Sequence, residues 1–303
     1  MLILRHFHLK VICTILILSL TLAGCKQQTP VPVQPIVTID VPTNAPIEPT
    51  LIKEPMALEV NGEGITMVEF QQEIQRFQSG VTKTGIQLPD PSDLEIQVID
   101  ELVDQLLLQQ GAIEAGFSVS SADIQTKLDE LSQKLGGTEA LTKWINENFY
   151  TDQTFKISLE RSLYATWMRD EIIKNLPDVA EQVHIRQIRV LSEGEARGIL
   201  AQLQSGSDFA TLAELYDPVT KGDLGWFPHG YLTQPAVDDA AFSLDAGEVS
   251  QIIQSEIGFH IVQVIERDGA HKLTPDALKF MQNQALISWL DEKKSSSEIV
   301  ITK

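Results

Sequence analysis

Seven of the 14 prolines fall between residues 26 and 55, in a stretch without a single glycine, and they decide where a packed fold can begin. Each proline fixes φ and removes a backbone donor, so spaced prolines defeat both a helix and a central strand. Residues 25–56 are therefore expected to form an extended linker, with the folded part starting at about Ala57. Ahead of the linker come Arg5, His6, His8 and Lys10, then the nearly unbroken apolar run of residues 11–22. A spanning helix needs about 20 apolar residues, and this run is shorter. Residues 1–24 read as a signal peptide, to be set aside before the fold is considered.

That segment ends in Leu22-Ala23-Gly24-Cys25, which resembles the lipobox of bacterial lipoproteins. The resemblance implies that the Cys25 sulfur receives a lipid and that Cys25 becomes the mature N-terminus; an ordinary signal peptide followed by a chance cysteine is the alternative. Of the 2 cysteines, Cys13 lies in the leader, so the processed chain has no intramolecular disulfide and must rely on a packed core. The implied location is the cell envelope, with the chain lipid-anchored to a membrane and facing the periplasm or the extracellular side.

Lys+Arg 23 against Asp+Glu 42 give a formal charge of -19, which becomes -21 when Arg5 and Lys10 leave with the leader. Such a surface repels phosphate backbones and argues against nucleic-acid binding. With 303 residues, 43% of them hydrophobic, the chain has room for two modest cores.

Residues 57–178 read as a short hairpin followed by helices. Asn61-Gly62 is a turn signal between two strand-like runs, and Thr66 is placed to cap a helix over residues 67–77. Ser92 with Glu95 has the spacing of a capping box before Val98, Ile99, Leu102, Val103, Leu106 and Leu107 at helical period. Gly116 closes that helix. Ser120 or Ser121, Thr138 and Thr151 open three more. Their order after Val60-Asn61-Gly62-Glu63 resembles the N-terminal chaperone module of the SurA and PrsA-type foldases.

From residue 182 to 190 the polarity pattern is that of a strand, residues 193–204 are helical, and Ser207 is placed to cap a short helix. Then come Gly222-Asp223-Leu224-Gly225-Trp226-Phe227, Ala240-Ala241-Phe242-Ser243-Leu244 with Gly247-Glu248-Val249-Ser250, and Gly258-Phe259-His260-Ile261-Val262. In this order and spacing they resemble the parvulin, or PpiC-type rotamase, family of peptidyl-prolyl isomerases. The resemblance implies an α+β chain: a parvulin domain of βα3βαβ2 order at residues 179–268, inserted in a helical chaperone domain made of residues 57–178 and 269–303. Thr274-Pro275 would open the returning helix, and residues 298–301 would add a strand.

The resemblance also assigns the site. The first histidine of the family is Gln187 here, which can donate and accept but cannot ionise; the second is His260. Asp217 stands nearest to the place of the family's cysteine or aspartate, and as Asp217-Pro218 it reads equally as a turn former. The slot for the proline ring falls on Leu224, Leu232, Val237 and Phe242. Trp226 reads as a packed aromatic, His184 as a solvent-facing strand residue, and His229 and His271 as turn residues without partners at metal spacing. Neither a metal nor an organic cofactor is expected. The expected function is isomerisation of X-Pro bonds in unfolded secreted polypeptides. The alternative is a holding chaperone whose parvulin-like domain has lost most of its catalysis, motivated by Gln187, Val237 and a shortened loop.

Overall fold

The computed structural model describes residues 54–302, so the expected leader, linker and Cys25 lie outside the described residues. The chain divides into two compact units. One takes the described residues up to Leu102, Ser132–Phe155, and Val300 onward; the other takes Val103–Leu131 and Lys156–Ile299.

In the first unit, β1 (Met56–Val60) and β2 (Glu63–Thr66) form an antiparallel hairpin. The turn holds Asn61 at φ 53° and Gly62 at φ 83°. Two left-handed residues in a row match the right-handed twist of the flanking strands, which is why Asn-Gly is favoured there. The short β7 (Ile299–Ile301) lies on the other edge of β1, giving the order β2-β1-β7, and Thr302 N–H donates to the Ala57 carbonyl at 2.9 Å. Thr66 then caps α1 (Met67–Thr84) through a reciprocal bond pattern with Glu69. The helix runs about two turns beyond the expected end at Phe77, tolerating Gly80 in its interior and ending only where Gly85 takes the left-handed conformation at φ 73°.

Two expected caps are not used. The helix α2 (Pro91–Glu114) starts with Pro91 as its first residue, so Ser92 sits inside the first turn rather than in front of it. In α4 (Thr138–Glu147) the N-cap is Gly137, and Thr138 is already helical. α3 (Ser121–Leu135) does begin with a side-chain cap, Ser120 and Asp123 bonding each other's backbone N–H.

In the second unit, the C-terminal part of α2 packs with α5 (Asp152–Lys174) and α9 (Pro275–Ser296). A Cβ on Gly111 would stand 2.6 Å from the Trp289 ring, so the absence of a side chain is what lets the indole approach α2. Lys293 pairs with Glu114 at 2.6 Å and Lys294 with Asp104, while Phe117 stacks on Trp167 at 4.6 Å. The C-terminal helix is thus a packed element, as its apolar stripe requires.

The same unit contains a four-stranded antiparallel sheet in the order β4-β3-β6-β5, built from β3 (Val179–Val190), β4 (Asp223–Pro228), β5 (Ile253–Ser255) and β6 (Gly258–Lys272). One face carries Ile188, Val190 and Ile261 and is covered by α6 (Glu193–Gln204) and α7 (Phe209–Tyr216). The cap of α7 is Asp208, whose carboxylate accepts from Thr211 N–H at 2.7 Å, and not the expected Ser207. Where the family order has a third helix, this chain has a turn closed by Lys221 N–H on the Asp217 carbonyl at 2.9 Å. The other face carries Val183, Ile185, Val262 and Val264 under α8 (Pro235–Ser243), and it is on this face that the candidate site lies.

Candidate active site

Register brings Gln187 and His260 together. In the β3/β6 ladder Gln187 faces Val262 and Arg189 faces His260. Alternation along each strand then places Ile185, Gln187, Arg189, His260, Val262 and Val264 on one face. His260 is 1% exposed. Its Nδ1 lies 3.1 Å from Gln187 Oε1 and its Nε2 lies 2.7 Å from Ser255 Oγ.

The acceptor at Gln187 fixes the tautomer. An amide oxygen only accepts, so Nδ1 must carry the proton, and Nε2 in the neutral ring accepts from the Ser255 hydroxyl. Ser255 Oγ in turn accepts from Ile257 N–H at 3.1 Å. Burial, with the nearby Arg189 charge adding to it, holds the His260 pKa below the ordinary 6.5, which favours this neutral form. Ser255 was not singled out in the sequence. Its pairing with Gly258 at the β5/β6 turn is what aims it at the ring, and no local pattern announces that.

Three of the four expected slot residues gather beside this polar line. Val237 is 2% exposed and belongs to the cluster of Val183, Ile185, Phe227, Ala241, Val262 and Val264, against which Leu232 and Phe242 pack. Leu224 is 36% exposed and stands apart from the cluster, at an irregularity where Ile185 pairs with Gly225 but Arg186 with Asp223. The extra residue in β4 is Leu224 itself. Asp217 is not joined to Gln187 or His260: its carboxylate accepts from Val219 N–H at 3.0 Å, from Thr220 N–H at 3.1 Å and from the Thr220 hydroxyl. The Thr220 hydroxyl, first among these donors, lowers the Asp217 pKa.

Further residues shape the site. Asp238, 1% exposed in the first turn of α8, accepts from Gly230 N–H at 2.7 Å and Leu232 N–H at 3.0 Å, and so fixes the loop that presents Leu232. Arg267 donates to the Phe242 and Leu244 carbonyls, both at 3.0 Å, and to Glu181 at 2.7 Å, which ties down the end of α8 that presents Phe242. Gly222 sits at φ 72°, where a Cβ would lie 2.1 Å from the Gln187 carbonyl oxygen, and its own carbonyl accepts from Gln187 N–H at 2.8 Å. Only glycine fits that approach.

Three expectations for histidines are corrected, the first being that His271 lies not in a turn but in β6, opposite Ala180. His184 does not face solvent freely: its side chain is 20% exposed and its Nε2 lies 2.7 Å from Asp223 Oδ1, because the same carboxylate that closes the Asp223-Gly225 turn reaches across the β3/β4 pair. His229 does have partners at metal spacing, since its donor atoms and those of Asp238 and Asp239 lie within 4.8 Å of one another. Both Asp238 oxygens already take backbone N–H groups, and the His229 ring lies edge-on to Phe242 at 4.9 Å. Trp226 is stacked on His271 at 4.0 Å.

Residues 179–266 match the PPIC-type PPIase domain family, and residues 50–160 match the SurA-like N-terminal domain family. The foldase protein PrsA of Caldanaerobacter subterraneus subsp. tengcongensis is 30% identical over 67% of this chain and 71% of its own length. A parvulin-like PPIase of Rickettsia felis is 29% identical over 68% of this chain and 70% of its own. The chaperone SurA of Nitrosococcus oceani is 24% identical over 69% of this chain, which spans only 57% of that protein. Among solved structures, a peptidylprolyl isomerase (PrsA) from Bacillus cereus is similar over 76% of this chain and 82% of that one, at 21% identity and a TM-score of 0.43. The chain belongs to the PrsA-type foldase family, and it carries a PPIC-type peptidyl-prolyl isomerase domain behind a SurA-like N-terminal domain.

Proposed function

We propose that this chain speeds rotation about X-Pro bonds in unfolded exported polypeptides while anchored through Cys25 to a membrane of the cell envelope. The observation that carries the reading is the line of Gln187, His260 and Ser255 running beside Leu232, Val237 and Phe242. Rotation about an amide faces a barrier of roughly 18–20 kcal/mol, set by resonance between the carbonyl and the nitrogen lone pair. An apolar wall that seats the pyrrolidine ring disfavours the charge-separated resonance form, and a donor that follows the carbonyl oxygen stabilises the twisted amide. Gln187 commits its Oε1 to His260, and among the described residues its Nε2 has no partner, which leaves two N–H bonds for a carbonyl. No bond is broken, and no cofactor enters the step.

The helical parts would hold extended client chain. A chaperone domain of residues 57–178 and 269–303 around a rotamase domain of residues 179–268 is supported by the two family matches and by the edge position of β7 beside β1. No helix among the described residues is long and apolar enough to cross a membrane. An anchored envelope location therefore rests on the lipobox-like Leu22-Ala23-Gly24-Cys25.

A protease-coupled prolyl tetrapeptide assay on the purified chain tests the reading. A second-order rate that clearly exceeds the uncatalysed exchange, and that drops about tenfold or more in His260→Leu, is the expected result. The second reading, a holding chaperone, is favoured by the Asp217 carboxylate being spent on its own turn and by an amide in the place of the first histidine. An isomerisation rate equal to buffer, with client aggregation still suppressed, would select it.

A further inference from the structure

Along β3 the face that carries the site reads Ile185, Gln187, Arg189, and same-face neighbours on a strand stand about 6–7 Å apart. Ile185 belongs to the apolar cluster under the slot and Gln187 to the polar line, so the next position on the same face is Arg189. It is exposed and sits opposite His260 in the ladder. One guanidinium N–H, on Nη1, donates to the Ile257 carbonyl at 3.2 Å. Among the described residues the remaining donors of the five have no partner, and no carboxylate lies at ion-pair distance from the group. Arg76, Arg197 and Arg267, by contrast, each pair with a glutamate.

We propose that Arg189 is a specificity-determining residue, and that it selects substrates with an anionic side chain, a carboxylate, on the residue preceding the isomerising proline. The proposal rests on the rotamase reading of the same site. With the pyrrolidine ring on Leu232 and Phe242 and the rotating carbonyl at Gln187, a substrate lying along β3 puts the side chain of the preceding residue one same-face step further, over Arg189. A single planar fork matches one carboxylate in a bidentate pair. A phosphate shares that chemistry, but as a dianion it calls for a second cation, and among Ile185, Gln187, Arg189, His260, Val262 and Val264 on this face Arg189 is the one permanent cation.

The test compares tetrapeptides with Glu, Ala, Lys or phosphoserine before proline, using the full chain. The expected result is a kcat/KM for Glu-Pro about two- to fivefold above Lys-Pro, the size of an exposed ion pair. The gap should close near 1 M salt, where the screening length falls to about 3 Å. Arg189→Glu should invert the preference, which a merely structural role for the arginine would not do, and Arg189→Lys should keep its sign. Equal rates for Glu-Pro and Lys-Pro in the unaltered chain, or a uniform loss across all peptides in Arg189→Glu, would overturn the proposal. A phosphoserine peptide far better than Glu-Pro would overturn the carboxylate assignment. Should no peptide be isomerised at all, the rotamase reading fails by itself. The Kd values of the same peptides, followed by NMR titration, then decide: tighter Glu-Pro binding supports Arg189 as the selector, and equal binding sinks it.

Discussion

At the scale of single residues, the protonation of His260 ties the site to pH. The ring is held neutral by burial and by the Arg189 charge, and its Nε2 acts as the acceptor for Ser255. A histidine whose folded pKa lies below its unfolded value makes the folded state bind fewer protons than the unfolded one in the interval between the two. Stability from this group is therefore fully present above 6.5 and is lost as pH falls from 6.5 through the lowered folded value. The expected outcome is a urea midpoint that starts to fall as pH drops below 6.5, an effect absent in His260→Leu, and an isomerase rate that declines only when pH falls through the lowered folded value. A rate that rises as pH falls below 6.5 would exclude a neutral imidazole from the working state. His260 could be picked out in the sequence from its Gly-Phe-His setting. Its partner Ser255 could not, because the two meet only once β5 and β6 are folded back on each other.

At the scale of elements, the slot is shaped by bonds that connect α8 to what surrounds it. Asp238 carries the loop before the helix and Arg267 holds the carbonyls at its end. Removing the carboxylate in Asp238→Ala leaves the Gly230 and Leu232 N–H groups without their acceptor, a loss of about 1–3 kcal/mol. Because the loop that loosens is the one carrying Leu232, the KM for prolyl peptides is expected to rise more than kcat falls in whatever fraction stays folded. Denaturant unfolding and steady-state kinetics on Asp238→Ala and Asp238→Asn check this, and the amide, which keeps one acceptor, should fall in between. Asp238 reads in the sequence as an ordinary acid near a helix start, where the dipole favours negative charge. Its burial is a tertiary fact. The caps show the same division: Thr66 with Glu69 formed as the spacing suggests, whereas Ser92 with Glu95 has equal spacing and was overtaken by Pro91, whose fixed φ suits the first helical position.

At the scale of the whole molecule, two compact units share one chain, and α2, α3 and α5 each contribute residues to both. The sheet, its two covered faces and the site all lie between Val179 and Lys272. A fragment of residues 179–272 is therefore expected to fold cooperatively and to retain the tetrapeptide activity of the full chain, while suppression of client aggregation is lost. A fragment that fails to give a cooperative melt by circular dichroism would show that the helices supply stability the sheet lacks. The sequence alone settled what is local in origin: the Asn61-Gly62 hairpin, the helical stripes with their glycine stops, and a rotamase-like order of motifs. Local preference suffices there, since caps, turns and period depend on residues within a few positions of each other. Tertiary structure decided which side chains meet: Gln187 with His260 across 73 positions, Arg267 with Glu181 across 86, and Leu224 displaced from the slot by one extra residue in β4. Alternation assigns side chains to two faces but leaves open which face is which and where a strand slips. Pairing and bulges fix both, and they exist only when the strands are together.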